Sequence, residues 1–429
     1  MRSRKLGLIS LVRLLLLLTV LVTITLNWCF YSAKVIAKND ELEHNRIIAH
    51  TESSSTTTLP VWMQDYMNWH ALQSPDDSSV DYLVVRCLNQ DTHCGGTADR
   101  LMPLPLFVMM AARMKRVLLF HWERPCPLEE FLLPSTDVDW RIPKNHELFQ
   151  SLDWMSTVRI SHQLNVLQIL DPEFEPPTRR RSKPLPAVLP RVVTTAYQSQ
   201  LHGADLYDQF RNRTDSFQRK DASGGSTDSH PNEPSFEQVY SALWKTFFQP
   251  SPRVQNKIDA ALLDMQLVPN DYVAAHIRAL YQQEAGPKKT AFVARNAMHC
   301  ASQFLSYEGQ PIYVVSDSVN STKMAMQYVH QQHSDEAVVV VTRPVTSVLH
   351  LDRGTAFLEK DADQWTNNEF CADYDDTFVD LYLLILAKCR TVHLGSFAKW
   401  AHLIHGGNCI NSHFQKQCRW KKVLDSKPG

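Results

Sequence analysis

This chain of 429 residues has almost no net charge, with 44 Lys and Arg against 45 Asp and Glu. That balance removes any global argument for binding nucleic acid or an acidic membrane surface, so a basic site must be local. No Cys-x-x-Cys pair occurs among the nine cysteines, which argues against a structural zinc site. No small-x-small cleavage pattern stands out before Tyr31-Ser32-Ala33. Asp-x-Asp, a common metal-binding pattern, is found at Asp137-Val-Asp139, after Pro134-Ser-Thr, and at Asp361-Ala-Asp363, inside a polar stretch. Neither follows a convincing strand, so both read as surface loops and no metal site is expected.

Long apolar runs are absent except at the N-terminus. Arg2, Arg4, Lys5 and Arg13 precede a run over residues 14–31, about the length that spans a bilayer. The basic flank predicts a cytosolic tail (1–13), a retained signal anchor (14–31) and a lumenal remainder. A cleaved signal peptide is the competing reading, and the length of the run favours the anchor. Beyond Cys29 there are eight cysteines, an even number that suits disulfides in an oxidising compartment. Cys409 with Cys418 is the first local pairing to expect. Asn212-Arg-Thr214 and Asn320-Ser-Thr322 are N-glycosylation sequons, in keeping with a secretory-pathway chain.

Residues 32–79 are polar and read as a stem, with Trp62, Tyr66 and Trp69 on a short helix packed against the body. From Asp81 onward strands alternate with helices. Asp81–Arg86 and Arg116–His121 read as strands flanking a Gly95-Gly96 turn and a helix over 97–113, which Pro103 and Pro105 kink or delay. The stretch from about 130 to 210 shows no clean period, and about 211–236 reads as a flexible insertion. Alternation resumes with strands at 272–277, 312–315, 337–341 and 391–394, and helices over 290–305, 378–389 and 397–404. The pattern predicts two doubly wound α/β domains, 80–255 and 256–429, with a nucleotide-sugar site in the cleft between them.

Four clusters sit where such sheets bind ligands, beyond the carboxyl ends of strands. Gly95-Gly96, followed by Arg100 on a helix, allows close backbone approach to a ligand. His276-Ile-Arg278 places an imidazole and a guanidinium on one side of a strand end, and the guanidinium fork suits phosphate. An ion pair for Arg278 and a strand-capping role for His276 are the plainer alternatives. Ser316-Asp317 ends the next strand. Asp380, read at the start of an apolar helix, is followed sixteen residues later by Ser396, read as the N-cap of a helix opening with Phe397. Ordinary capping remains an alternative for both. On the acceptor side, Trp122 suits stacking on a sugar and Glu123 a general base, with a structural turn as the alternative.

Together Gly95-Gly96 with Arg100-Leu101, His276-Ile-Arg278, Val315-Ser-Asp317 and Asp380…Ser396-Phe397 resemble the GDP-fucose-dependent fucosyltransferases of the α1,6- and protein O-fucosyltransferase kind. The resemblance covers about 81–130 and 270–405. It implies a GT-B-like pair of Rossmann-like domains, and inverting, metal-independent transfer of fucose from GDP-fucose to a glycan or protein hydroxyl. Combined with the N-terminal anchor, the expectation is a type II Golgi or ER membrane enzyme. By the same resemblance Arg278 grips the β-phosphate, His276 and Asp380 contact the nucleoside, Ser396 touches phosphate, and Ser316 and Asp317 line the donor pocket. Ala279-Leu-Tyr281 stands where members often carry an acidic residue or a second arginine. Two alternatives therefore stay open: another nucleotide-sugar donor, or a non-catalytic lectin-like or folding-assistance member.

Overall fold

The computed structural model describes residues 59–420, with longer gaps at 74–78, 172–184, 196–233, 279–286, 333–337, 345–367 and 414–418 and shorter ones elsewhere. The expected tail, anchor, most of the stem and insertion, Asn212, Asp137, Asp361 and Asp363 lie outside the described residues. Among the described residues no helix is long and apolar enough to cross a membrane.

Helix α1 (Val61–Leu72) buries Trp62, Met63, Tyr66 and Met67, and Tyr66 Oη donates to the Arg116 carbonyl at 2.9 Å. This end of the predicted stem is therefore packed into the body. Strand β1 (Tyr82–Cys87) is buried along its whole length, as apolar runs in parallel sheets are. The helix expected over 97–113 is two helices, α2 (Thr97–Leu101) and α3 (Leu104–Met114), because Pro103 carries no N–H to continue the first. Strand β2 (Val117–Trp122) returns parallel to β1, completing the predicted βαβ unit. Strand β3 (Leu132–Pro134), strand β4 (Arg159–Ile160), helix α4 (Gln163–Leu170) and strand β5 (Val192–Thr195) occupy the stretch that shows no sequence period. The first sheet runs β2-β1-β5-β4, all parallel.

Helix α5 (Phe236–Phe247) starts from a Ser235/Gln238 capping box and leads through β6 (Phe248–Pro250), which pairs with β3, into α6 (Pro252–Asp264). The second half follows as β7 (Val273–Ile277), α7 (Pro287–Ser302), β8 (Ile312–Ser316), α8 (Val319–Gln332), β9 (Val340–Val341), α9 (Asn368–Leu386), β10 (Cys389–Val392), α10 (Phe397–His405), β11 (Ile410–Ser412) and β12 (Arg419–Trp420). Its sheet order is β12-β11-β10-β7-β8-β9, parallel except for β12. The chain steps from β7 outward to β8 and β9, then crosses to β10 on the other side of β7. The order therefore reverses between β7 and β10, and ligands of open α/β sheets bind at such reversals.

The two sheets share one apolar core, which includes Leu83, Phe120, Leu381 and Val392, and the chain from Thr57 onward forms one compact unit. Cys126 is bonded to Cys371, and Phe131 stacks on Phe378 with centroids 4.5 Å apart, so the halves are tied covalently and by packing. Arg253 adds a two-toothed ion pair to Asp375 (2.9 Å) and a second to Glu130 (2.8 Å), and Lys257 also reaches Asp375 at 2.9 Å.

Three expectations need correction. Cys409 pairs with Cys389, and Cys87 with Cys94; the favoured Cys409–Cys418 link is replaced because β10 and β11 run side by side. Asp380 lies well inside α9, which begins at Asn368, because polar residues ahead of Phe378 continue the helix without interrupting it. Ser396 precedes α10 but makes no side-chain cap, its hydroxyl being drawn to a carboxylate on the other half.

Candidate functional site

The reversal between β7 and β10 gathers the predicted residues. Arg278 emerges just past the end of β7, and its carbonyl accepts a hydrogen bond from His393 Nδ1 at 2.9 Å, just past β10. Its Nε lies 3.4 Å from Asp317 Oδ2, with both side chains mostly buried. The plainer reading of Arg278 as an ion-pair member is therefore realised, and the partner is a second predicted site residue. A cation fixed by one carboxylate, and not wholly covered, is a pre-oriented anion grip.

Beside it, Gly395 adopts φ +97°, a left-handed conformation that costs glycine little. A Cβ built there would stand 3.8 Å from Arg278 Cδ and Nε, an ordinary contact distance, so the left-handed backbone and not lack of space is what favours glycine here. Ser396 and Phe397 follow, both half-buried.

His276 is buried, with its ring 5.9 Å from that of Phe397. Burial pushes its pKa down to about 4; Asp317 opposes this, and the charges of Arg278 and His393 reinforce it. The ring is neutral at physiological pH, and its buried Nδ1 has no hydrogen-bond partner. A donor or acceptor in that position suits a nucleoside.

Ser316 is structural in this arrangement: its hydroxyl donates to the Ile277 carbonyl (2.8 Å) and accepts from Ser318 N–H (3.1 Å), stitching β8 to β7. Asp380 is likewise engaged. Its Oδ1 accepts from Tyr313 Oη (2.7 Å) and from Arg343 Nε (2.8 Å), while Arg343 Nη1 reaches Asp376 at 3.2 Å. Burial raises the Asp380 pKa, and Arg343 pulls it back. Both of these bonds go to Oδ1.

From the first half, the Gly95-Gly96 turn is shaped by φ +67° at Gly95 and by the Cys87–Cys94 disulfide. Arg100 braces that turn: Nε donates to the Gly95 carbonyl at 3.1 Å, Nη1 to the Arg124 carbonyl at 2.5 Å, and its guanidinium lies 4.7 Å over the Trp122 ring. Trp122 is itself buried, so its stacking face meets Arg100 and not a sugar. Glu123 accepts from Asn89 N–H at 2.9 Å and lies 3.6 Å from His121 Nε2. The structural-turn alternative thus describes both acceptor-side candidates as they stand here. Asn320 is exposed in the first turn of α8, whereas the Thr322 of its sequon is buried.

Residues the sequence reading passed over complete the picture. Asp99 accepts from Gly96 N–H at 3.1 Å through Oδ2 and from Ser396 Oγ at 3.2 Å through Oδ1, joining the glycine turn to the end of β10. Arg343 and His393 also follow strands, and that position after a β-branched run was the available signal. Among the described residues no group of three or more His, Cys, Asp or Glu is placed to hold a metal ion.

No family model matches this sequence, nor does any curated protein. Solved structures are similar at low identity. A mutant of Arabidopsis thaliana FUT1 in complex with GDP shares 11% identity, covers 82% of this chain and 78% of its own, and gives a TM-score of 0.49. The fucosyltransferase NodZ from Bradyrhizobium shares 13% over 80% and 97%, with a TM-score of 0.42. POFUT1 in complex with GDP-fucose shares 11% over 79% and 98%, with a TM-score of 0.37. NodZ is a fucosyltransferase, and the other two hold GDP or GDP-fucose. At such scores the likeness carries no argument about what this chain binds, and its own geometry has to supply one.

Proposed function

We propose that this chain is a glycosyltransferase of GT-B-like architecture that moves fucose from GDP-fucose to a hydroxyl of a glycan or protein. The observation that carries the reading is the placement of Arg278 at the strand-order reversal, oriented by Asp317 and flanked by the Gly395 backbone. There a fixed guanidinium meets the charge that develops on a departing diphosphate, where it stabilises the transition state more than the ground state. Neutral His276 and the Asp380 carboxylate suit the nucleoside, and the Ser396 hydroxyl suits a phosphate oxygen. Inversion at the anomeric carbon and independence of metal are part of the proposal. So is a type II Golgi or ER location with the catalytic part lumenal. Seven disulfide-bonded cysteines, Cys87, Cys94, Cys126, Cys300, Cys371, Cys389 and Cys409, support an oxidising compartment.

The test is Arg278→Ala. Turnover of GDP-fucose should fall by about 100-fold or more, the loss typical of removing one transition-state charge partner. The variant should still fold and be secreted, with a lowered unfolding midpoint because Asp317 loses this ion partner. Undiminished turnover would remove the basis of the reading. A panel of other nucleotide sugars decides donor identity, and calorimetry with GDP separates an enzyme from a non-catalytic relative.

A further inference from the structure

The proposed transfer needs a base for the acceptor hydroxyl, and most carboxylates around the cleft are already committed. Asp317 holds Arg278, and Asp380 is shared by Tyr313 and Arg343. Asp91 is buried between Arg86 and Arg159, and Glu123 caps a turn. His276, with its pKa near 4, is too weakly basic to hold a proton at neutral pH. Asp99 differs from all of these. It is half-buried, it lies in the first turn of α2 just behind the glycine turn, and its two oxygens do different jobs. Oδ2 is fixed by the Gly96 N–H and sets the plane of the carboxylate. Oδ1 accepts from the Ser396 hydroxyl, 3.2 Å away.

A serine hydroxyl has one hydrogen to donate. In this structure that hydrogen goes to Asp99, so it is not available to a phosphate at the same time. Resting on the function proposed above, we infer that Asp99 is the general base for the acceptor hydroxyl and that Ser396 covers it until the donor binds. When the diphosphate arrives, the Ser396 O–H turns to a phosphate oxygen and Asp99 Oδ1 loses its partner. The acceptor O–H then donates to Oδ1. As its oxygen bonds to the anomeric carbon, its proton passes to Asp99. The bond from that carbon to the β-phosphate oxygen breaks, and the electron pair leaves with GDP beside Arg278. Asp99 afterwards returns the proton to solvent. Donor binding thus uncovers the base, which makes donor-first binding a property of the hydrogen-bond network.

The experiment uses the full chain, GDP-fucose as donor, water as the acceptor probe, and GDP release as the readout, with GDP affinity measured by calorimetry. Asp99→Asn keeps an oxygen for the Gly96 N–H but cannot take a proton. Turnover should drop by about 100-fold or more, with GDP affinity within about twofold of the parent. Asp99→Ala should be equally slow, and added formate should restore at least about 10-fold while leaving the parent unaffected. Asp99→Asn turning over within about threefold of the parent would overturn the assignment. So would a joint loss of GDP affinity and turnover with no formate rescue, the mark of a strut and not a base. A parent protein that neither binds GDP nor cleaves GDP-fucose would overturn the proposed function, and this base with it.

Discussion

Acidification should strike this fold at His276, and the size of the effect follows from its surroundings. The imidazole is 4% exposed, and burial sets its folded pKa to about 4, against roughly 6.5 in an unfolded chain. The sign is fixed by linkage: the folded state disfavours the protonated ring, so its contribution is fully present above the unfolded value. It is lost as pH falls toward the folded one. Between those limits the loss approaches about 3 kcal/mol, of which roughly 2 kcal/mol has gone by pH 5. His405 and His413 have pKa values lowered by burial in the same direction, so the parent's total acid sensitivity is larger. A double difference isolates His276. Urea unfolding followed by tryptophan fluorescence at about pH 8 and about pH 5 gives the stability lost by the parent and by His276→Gln. The variant should lose roughly 2 kcal/mol less, because its amide does not titrate. Equal losses would refute the reasoning, since the ring would then be titrating as if in water.

Gly406 closes α10 at φ +73°, and a Cβ there would lie 2.8 Å from Ser241 Cβ on α5. Gly406→Ala should cost about 1–2 kcal/mol for the left-handed backbone plus a steric part; adding Ser241→Gly should recover only the steric part in thermal unfolding. Arg253→Ala leaves Asp375, fully buried, with Lys257 as its remaining ion partner. Stability should fall by about 2–3 kcal/mol in urea unfolding, and a loss near zero would show that Lys257 suffices.

Strands with continuous apolar runs were legible because burial on both faces leaves no polar alternation to misread: β1, β2, β7 and β8 fall within a residue or two of their expected bounds. The expected strand over 337–341 shrank to Val340–Val341, since β-branched composition at a sheet edge does not say how far pairing extends. The break at Pro103 was readable because it is a local property of the backbone. Pairing of cysteines was not, because it depends on which strands become neighbours.

The sequence by itself determined the alternation of strands and helices and the identity of Arg278 and His276 as a strand-end pair. Those are local facts, carried by hydrophobic period and residue chemistry over a few positions. Tertiary structure decided what each side chain does with its single set of hydrogen bonds. It gave the Arg278 guanidinium to Asp317, Arg100 to the glycine turn, Asp380 to Arg343, and the Ser396 hydroxyl to Asp99, a residue 297 positions away. Such choices are made by proximity after the chain has folded, and no spacing along the sequence encodes them.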